Sequence, residues 1–464
     1  MAPLGNKALV AVALTASILQ AQQKEAPPAP AAQARFTLPT MQEATLPNGM
    51  KVTFVPYGAV PLATVSLTIR TGAIDEGPDQ VWLSGLMDDM LQQGTMTRSA
   101  AAVADAVAGM GGDLTVTDGE DALSVSGTVL GDSAAALVRL VSDVVRHPKF
   151  PESEMARLVG DRQRQLAIAM TQPRQIAADR YAKLVYPDHP YGRLYPTNQA
   201  LGTYTTAQVR DFYTRNVGAA RAHLIVIGKF DSAAVQRAAN ATFGDWTAGS
   251  PPTVNVPTPH TERTLALLDR PGAVQSTLVI GIPVADPSST DWIPLAVTNS
   301  LLGGSFSSRI TTNIRERKGY TYSPFSAVTA HYHTATWHED ADVTTSATGA
   351  SLKEIFGEID SLRATAPGAD EVKGIQNYMA GIWVLRAATQ TGLLGQLEFA
   401  DIHGLDRAWL SNYIAKVYQV TPSDVRGMAE KYLDPSKMAI VVAGDKKAIA
   451  DQLTPYGTPV TPVQ

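Results

Sequence analysis

The sequence predicts an α+β protein made of two homologous domains, with strands and helices mixed in each. Three observations carry this expectation. At 464 residues the chain is too long for one ordinary core. An internal repeat runs through it, faint in identity but regular in spacing. Thr205-x-x-x-Val209-Arg210 leads to the apolar run Leu224–Gly228, and Thr421-x-x-x-Val425-Arg426 leads to Ala439–Gly444, with the same interval from Val209 to Gly228 as from Val425 to Gly444. Between the two copies, the segment from Thr247 to Arg263 is rich in Pro, Gly and Thr, as a linker is.

Read from the start, Lys7 precedes the apolar run Ala8–Leu19, and Leu19-Gln20-Ala21 puts a small residue at a cleavage point. Residues 1–21 therefore read as a secretory signal peptide, with an apolar run too short to span a membrane. A second small-residue cut follows Ala32-Gln33-Ala34, and residues 22–40 read as a disordered Pro/Ala-rich spacer. The sequence has no cysteine, which excludes both a lipid-anchoring cysteine and a disulfide framework. A periplasmic location is the expectation, with a disordered cytosolic leader as the alternative.

A first domain is expected over 41–248, a linker over 249–263, a second domain over 264–446 and a tail over 447–464. TVSLTIRTGA from Thr64 matches STLVIGIPVA from Ser276, each a strand ahead of a long helix. Leu91-Gln92-Gln93-Gly94 matches Leu301-Leu302-Gly303-Gly304, and the helices around Ala135–Val145 and Leu352–Leu362 hold equivalent places. The net charge of −5 and the lack of a Lys/Arg cluster give no footprint for nucleic acid.

Leu83, Leu86, Met87, Met90 and Leu91 recur at helical spacing, which predicts an amphipathic helix from about Gln80 to Gln92. Gly85, Asp88 and Asp89 fall on its other face. A solvated acidic face is the first reading, and a hard-cation site the alternative. Gly303 and Gly304 lack the following Lys-Ser/Thr of a phosphate loop, so they are expected to form a tight turn. His331 and His333 would share one face of a strand.

The segment Thr64–Thr95, with Leu46–Val52 (LPNGMKV) and Tyr186–Arg193 (YPDHPYGR), resembles the pitrilysin/mitochondrial-processing-peptidase family. The resemblance covers residues 41–446 and implies, for each domain, a mostly antiparallel sheet packed with helices, the two together forming half of a clamshell chamber. In that family the first helix carries zinc on an H-x-x-E-H motif, and this chain reads Gly85-Leu86-Met87-Asp88-Asp89 there. The third ligand is a Glu on a later helix, where Gln163 and Gln165 stand in the matching stretch. The resemblance therefore implies a degenerate metal site at Gly85, Asp88 and Asp89, with no metal in this chain.

In the second domain, Leu302–Ser326 keeps Gly303, Gly304, Ser308, Arg309, Arg315, Gly319, Tyr322 and Ser323 of the family pattern. The resemblance assigns Arg315 and Tyr322 to a substrate-contacting pair. Gly319 is expected to end the helix in a left-handed cap, with a strand beginning near Tyr320 and Pro324 interrupting its pairing. The implied function is that of a non-catalytic subunit of a heterodimeric zinc metallopeptidase. Zinc is then expected in a homologous H-x-x-E-H partner, and peptides are the substrates. An inactive scaffold or binding protein of the bacterial envelope is the alternative.

Overall fold

The repeat seen in the sequence becomes a repeat of topology. A computed structural model describes residues 37–460, and those from Leu38 onward belong to one compact unit. The expected signal peptide and most of the spacer lie outside the described residues. The first sheet contains β1 (Gln42–Thr45), β2 (Lys51–Pro56), β3 (Leu62–Ile69), β4 (Thr115–Thr117), β5 (Leu123–Leu130) and β6 (Ala222–Gly228), in the order β1-β2-β6-β3-β5-β4. The second contains β7 (Thr264–Asp269), β8 (Gln275–Val284), β9 (Phe325–His331), β10 (Thr334–Thr344) and β11 (Ala439–Gly444), in the order β7-β11-β8-β10-β9. Without β1 the two orders correspond strand for strand. Only β2–β6 and β7–β11 run parallel, and every other pair is antiparallel.

Local chemistry explains why these segments start where they do. The helix Thr206–Asn216 opens on a capping box between Thr205 and Gln208, and the helix Pro422–Tyr432 on one between Thr421 and Asp424. Each box satisfies backbone donors that the first turn leaves free. The strands that follow, β6 and β11, are buried along nearly their whole length, which is why they read as continuous apolar runs. By contrast β5 alternates buried and half-buried residues, as a strand covered on one face does.

The halves are joined by exchanged helices. Pro173–Val185, from the first half, lies on the second sheet, where Ala177, Tyr181 and Val185 pack with Ala266, Val279 and Val441. Gly281 makes this approach possible, because a Cβ there would sit 2.2 Å from the Tyr181 hydroxyl. Gln390–Ile402, from the second half, lies on the first sheet, where Leu393, Leu394 and Leu397 pack with Val55, Ile225 and Ile227. Burying one such Leu contributes about 1.5–3 kcal/mol.

Polar contacts fix the register of the second exchange. Glu398 accepts from Ser66 at 2.6 Å and from Thr68 at 3.1 Å. Asp401 takes Lys51 Nζ at 2.8 Å on one oxygen and lies 3.1 Å from His223 Nδ1 on the other. Burial works against the Asp401 carboxylate, but His223 and then Lys51 outweigh it and hold its pKa well below the usual range. A depressed folded-state pKa gives stability that is present above the unfolded value of about 4 and lost as pH falls through the folded value. Asp401→Asn is therefore expected to cost about 2 kcal/mol at pH 7. In urea melts repeated at decreasing pH, that deficit should shrink below about pH 4.

Candidate functional site

The helix expected at Gln80–Gln92 is shorter, Leu83–Leu91. Trp82 takes a left-handed backbone (φ 71°) that starts it, and the Glu76 carboxylate caps it. Glu76 accepts from Ser84 N at 2.8 Å, Ser84 Oγ at 2.6 Å and Trp82 N at 3.1 Å. Burial pushes the Glu76 carboxyl up to about 7 against these hydrogen bonds. Leu83, Leu86, Met87, Met90 and Leu91 all enter the first core.

The other face of this helix is not solvated, which corrects the expectation. Asp88 is only 3% exposed, Gly85 is buried and Asp89 is half-buried. What covers them is a cation from the chain itself. Arg162, on the helix Glu152–Ala169, donates from Nη2 to the Gly85 carbonyl at 2.7 Å and from Nε to Asp89 Oδ2 at 2.7 Å. Its Nη1 lies 3.6 Å from Asp118 Oδ2, and the Trp82 ring flanks the guanidinium at 5.9 Å. A Cβ on Gly85 would stand 2.8 Å from Arg162 Nη2 and 2.9 Å from Cζ. Glycine at 85 and arginine at 162 are thus one structural solution: any side chain at 85 would displace the guanidinium.

Sequence reasoning placed Gln163 and Gln165 opposite this helix and missed Arg162. Helical phase is the reason. Arg162 is the residue turned inward and buried, whereas Gln163 is half-buried and Gln165 exposed. Burial, reinforced by the Asp118 charge, pushes the Asp88 carboxyl well above the usual range, with Arg162 opposing. Asp88 Oδ1 finds no hydrogen-bond partner among the described residues. Zinc does not fit this set, since it offers carboxylates and a carbonyl without imidazole, around a charge that is already positive. No group of three His, Cys, Asp or Glu suited to a metal occurs among the described residues.

The structure does bring Arg315 and Tyr322 together. Arg315 lies in the last turn of the π-helical segment Thr311–Arg317, which Gly319 closes at φ +65°, with Gly319 N on Arg315 O at 3.1 Å. Tyr322 is not on a strand, as had been expected, but in the loop beyond, 80% exposed. Pro324 explains this: it carries no N–H, and regular pairing begins only at Phe325 opposite Asp340. The Arg315 guanidinium sits 5.0 Å from the Tyr322 ring and 4.5 Å from that of Phe306, a residue the sequence reading left without a role. Phe306 stands on the turn Ser305–Ser308, between two π-helical segments of a kind often found at functional sites.

Gly303 and Gly304 end the π-helical segment Ser300–Gly304 rather than forming a tight turn. They are needed for close packing. A Cβ on Gly303 would meet Ser326 Oγ at 2.4 Å and Glu339 Oε2 at 2.7 Å, and one on Gly304 would meet Asn299 Nδ2 at 2.4 Å. His331 and His333 do not share a strand face, because His331 ends β9 and His333 turns the hairpin at φ 58°. His331 instead bonds Glu120 at 2.6 Å and stacks on Tyr191, tying the second hairpin to the first half.

Models of two parts of one family match the chain: "Insulinase (Peptidase family M16)" over residues 58–195 and "Peptidase M16 inactive domain" over residues 203–379. The chain belongs to the M16 peptidase family. Among M16 relatives, an uncharacterized zinc protease of Streptomyces coelicolor is 23% identical over 419 residues, covering 88% of this chain and 91% of that protein. One from Mycobacterium tuberculosis is 26% identical over 428 residues, covering 88% and 95%. In fold, the chain resembles a peptidase M16 inactive domain from Pseudomonas fluorescens, with a TM-score of 0.80 and 21% identity over 87% of this chain and 98% of that one. It also resembles a protease from Helicobacter pylori, with a TM-score of 0.82 and 16% identity over 88% and 100%.

Two consequences are open to measurement. Arg162→Ala would leave Asp88, Asp89 and Asp118 without their cation and is expected to cost about 3 kcal/mol in urea unfolding. Combining it with Asp89→Asn should cost less than the sum of the single changes. An unchanged melt for Arg162→Ala would remove its role as the replacement charge. Glu339 is fully buried, and burial followed by the Asp340 charge pushes its carboxyl well above the usual range. A raised folded-state pKa makes its contribution complete at or below the unfolded value and progressively lost as pH rises. Glu339→Gln, uncharged throughout, should therefore gain melting temperature relative to the parent as pH goes from about 4.5 to 8.

Proposed function

We propose that this M16 protein is the non-catalytic subunit of a heterodimeric zinc metallopeptidase, acting from the periplasm. One observation carries the reading. Where the first domain would hold a metal it holds Arg162, while the second domain keeps a half-buried Arg315 against two exposed aromatic rings. No helix among the described residues is long and apolar enough to cross a membrane.

The two rings lie against the guanidinium, at 4.5 and 5.0 Å from its Cζ to their centroids. Glu316 lies 3.2 Å from Nε, and the remaining N–H donors of an arginine are suited to the carbonyl of an extended peptide. Tyr322 adds a phenolic donor on a side chain that is itself exposed. Together they would hold a scissile peptide and favour negative charge developing on its oxygen. Zinc in a homologous H-x-x-E-H subunit would supply the water-activating chemistry, and this chain the grip on the substrate.

Co-expression with an H-x-x-E-H homologue tests the reading. The expected result is a stable complex containing one zinc per pair, with cleavage by the complex and none by this chain alone. Arg315→Ala together with Tyr322→Phe should lower kcat about 100-fold without dissociating the pair. Full cleavage by the doubly substituted complex would eliminate the assigned roles. Capture of unrelated envelope proteins with no peptidase partner would favour the scaffold reading instead.

A further inference from the structure

Beside Arg315 lies a pocket of about 470 Å³ between the turn that carries Phe306 and the start of the helix Ala369–Ala387. Buried Leu301 and Ile375 form its apolar floor, and the exposed rings of Phe306 and Tyr378 its walls. Phe306 belongs to both places: one ring covers the Arg315 guanidinium and bounds the pocket. The wall is braced, because Arg309 grips both oxygens of Glu371, at 2.7 and 2.8 Å. That fork ties the Arg315 segment to the helix across the pocket. It also pairs the Glu371 carboxylate and leaves Asp370, on the same lining, exposed.

We propose that this pocket is the side-chain specificity subsite of the Arg315/Tyr322 site, and that it accepts a bulky apolar or aromatic residue of an extended peptide. The inference rests on the reading of Arg315 and Tyr322 as substrate contacts. An extended peptide advances about 3.3 Å per residue and sends neighbouring side chains to opposite sides. A carbonyl held by Arg315 therefore brings an adjacent side chain past Phe306 to the pocket mouth. The occupant is apolar because the floor and both walls are apolar, and because the Glu371 carboxylate is already paired. Within the pocket, Gly374 has the room a test requires: a Cβ there meets no atom within 4 Å.

The experiment uses the full chain and fluorescein-labelled extended decapeptides of one sequence, varied at a central position among Phe, Leu, Ala and Lys, read by fluorescence anisotropy. The parent chain is expected to bind the Phe and Leu peptides about tenfold tighter than the Ala peptide. Gly374→Leu, which fills the pocket, should erase that preference while leaving the thermal melt in place. Phe306→Ala should erase it as well, and Arg315→Ala should weaken all four peptides alike. Unchanged preference in Gly374→Leu, or stronger binding of the Lys peptide, overturns the subsite and leaves the Arg315/Tyr322 reading intact. Peptide binding that ignores Arg315→Ala, or no binding by the parent, overturns the reading and the subsite with it.

Discussion

Each sheet of this protein is closed by a helix that belongs to the other half of the sequence, and the remaining structure depends on that exchange. Val55, Ile225 and Ile227 would face water without the helix Gln390–Ile402, and Ala266, Val279 and Val441 would do so without Pro173–Val185. Apolar burial is the largest favourable contribution to folding, so neither half has a complete core of its own. The exchange is reciprocal because the repeat is. Both crossing helices begin at or just after a Thr-Gln dipeptide, Thr171-Gln172 and Thr389-Gln390, at similar points in their respective copies. Shared burial also keeps the Arg162 helix and the Arg315 segment within one cooperative unit.

Inside that frame, the carboxylates of the first half gather around a cation that is a side chain. Arg162 is covalently tethered and brings its own hydrogen-bond geometry. Its fork satisfies a backbone carbonyl and a carboxylate at once, which a spherical ion achieves only by recruiting ligands. The cost falls on Asp88, buried beside like charges with an oxygen unpartnered. Gly85 then has a steric explanation. It is not merely a ligand lost but the space in which Arg162 lies.

The fold was legible in the sequence because it rests on local signals repeated at fixed intervals. Thr205 and Thr421 announce their helices through hydrogen bonds made within four residues, and β6 and β11 announce themselves as apolar runs. The close pairing of Arg315 with Tyr322 followed from a short helix, a glycine cap and a few more residues. Arg162 was not legible, because its hydrogen-bond partners lie more than seventy residues away and only the phase of a long helix decides whether it or Gln163 turns inward. Phe306 escaped for a related reason. Its position over Arg315 depends on two π-helical segments, which residue spacing does not reveal. His333 looked like a strand residue until the hairpin was seen to turn on it.

The second half settles its equivalent face differently. By the match of Leu91 with Leu301, the positions of Asp88 and Asp89 correspond to Thr298 and Asn299. Thr298 is buried and donates to the Pro294 carbonyl, while Asn299 accepts from Ser326 Oγ at 2.8 Å beneath the Gly303–Gly304 backbone. In both copies this helix face has turned its polar groups inward, to an arginine in one and to a strand in the other. Groups already satisfied inside the protein, as Asp89, Thr298 and Asn299 are, gain little from a ligand. Arg315, Tyr322 and Phe306 are in the opposite condition, with two exposed rings against a half-buried guanidinium. Exposed large apolar groups around a cation typically mark recognition sites. The repeat has therefore divided into one copy that buries this face around its own arginine and one that leaves two aromatic rings exposed beside its arginine.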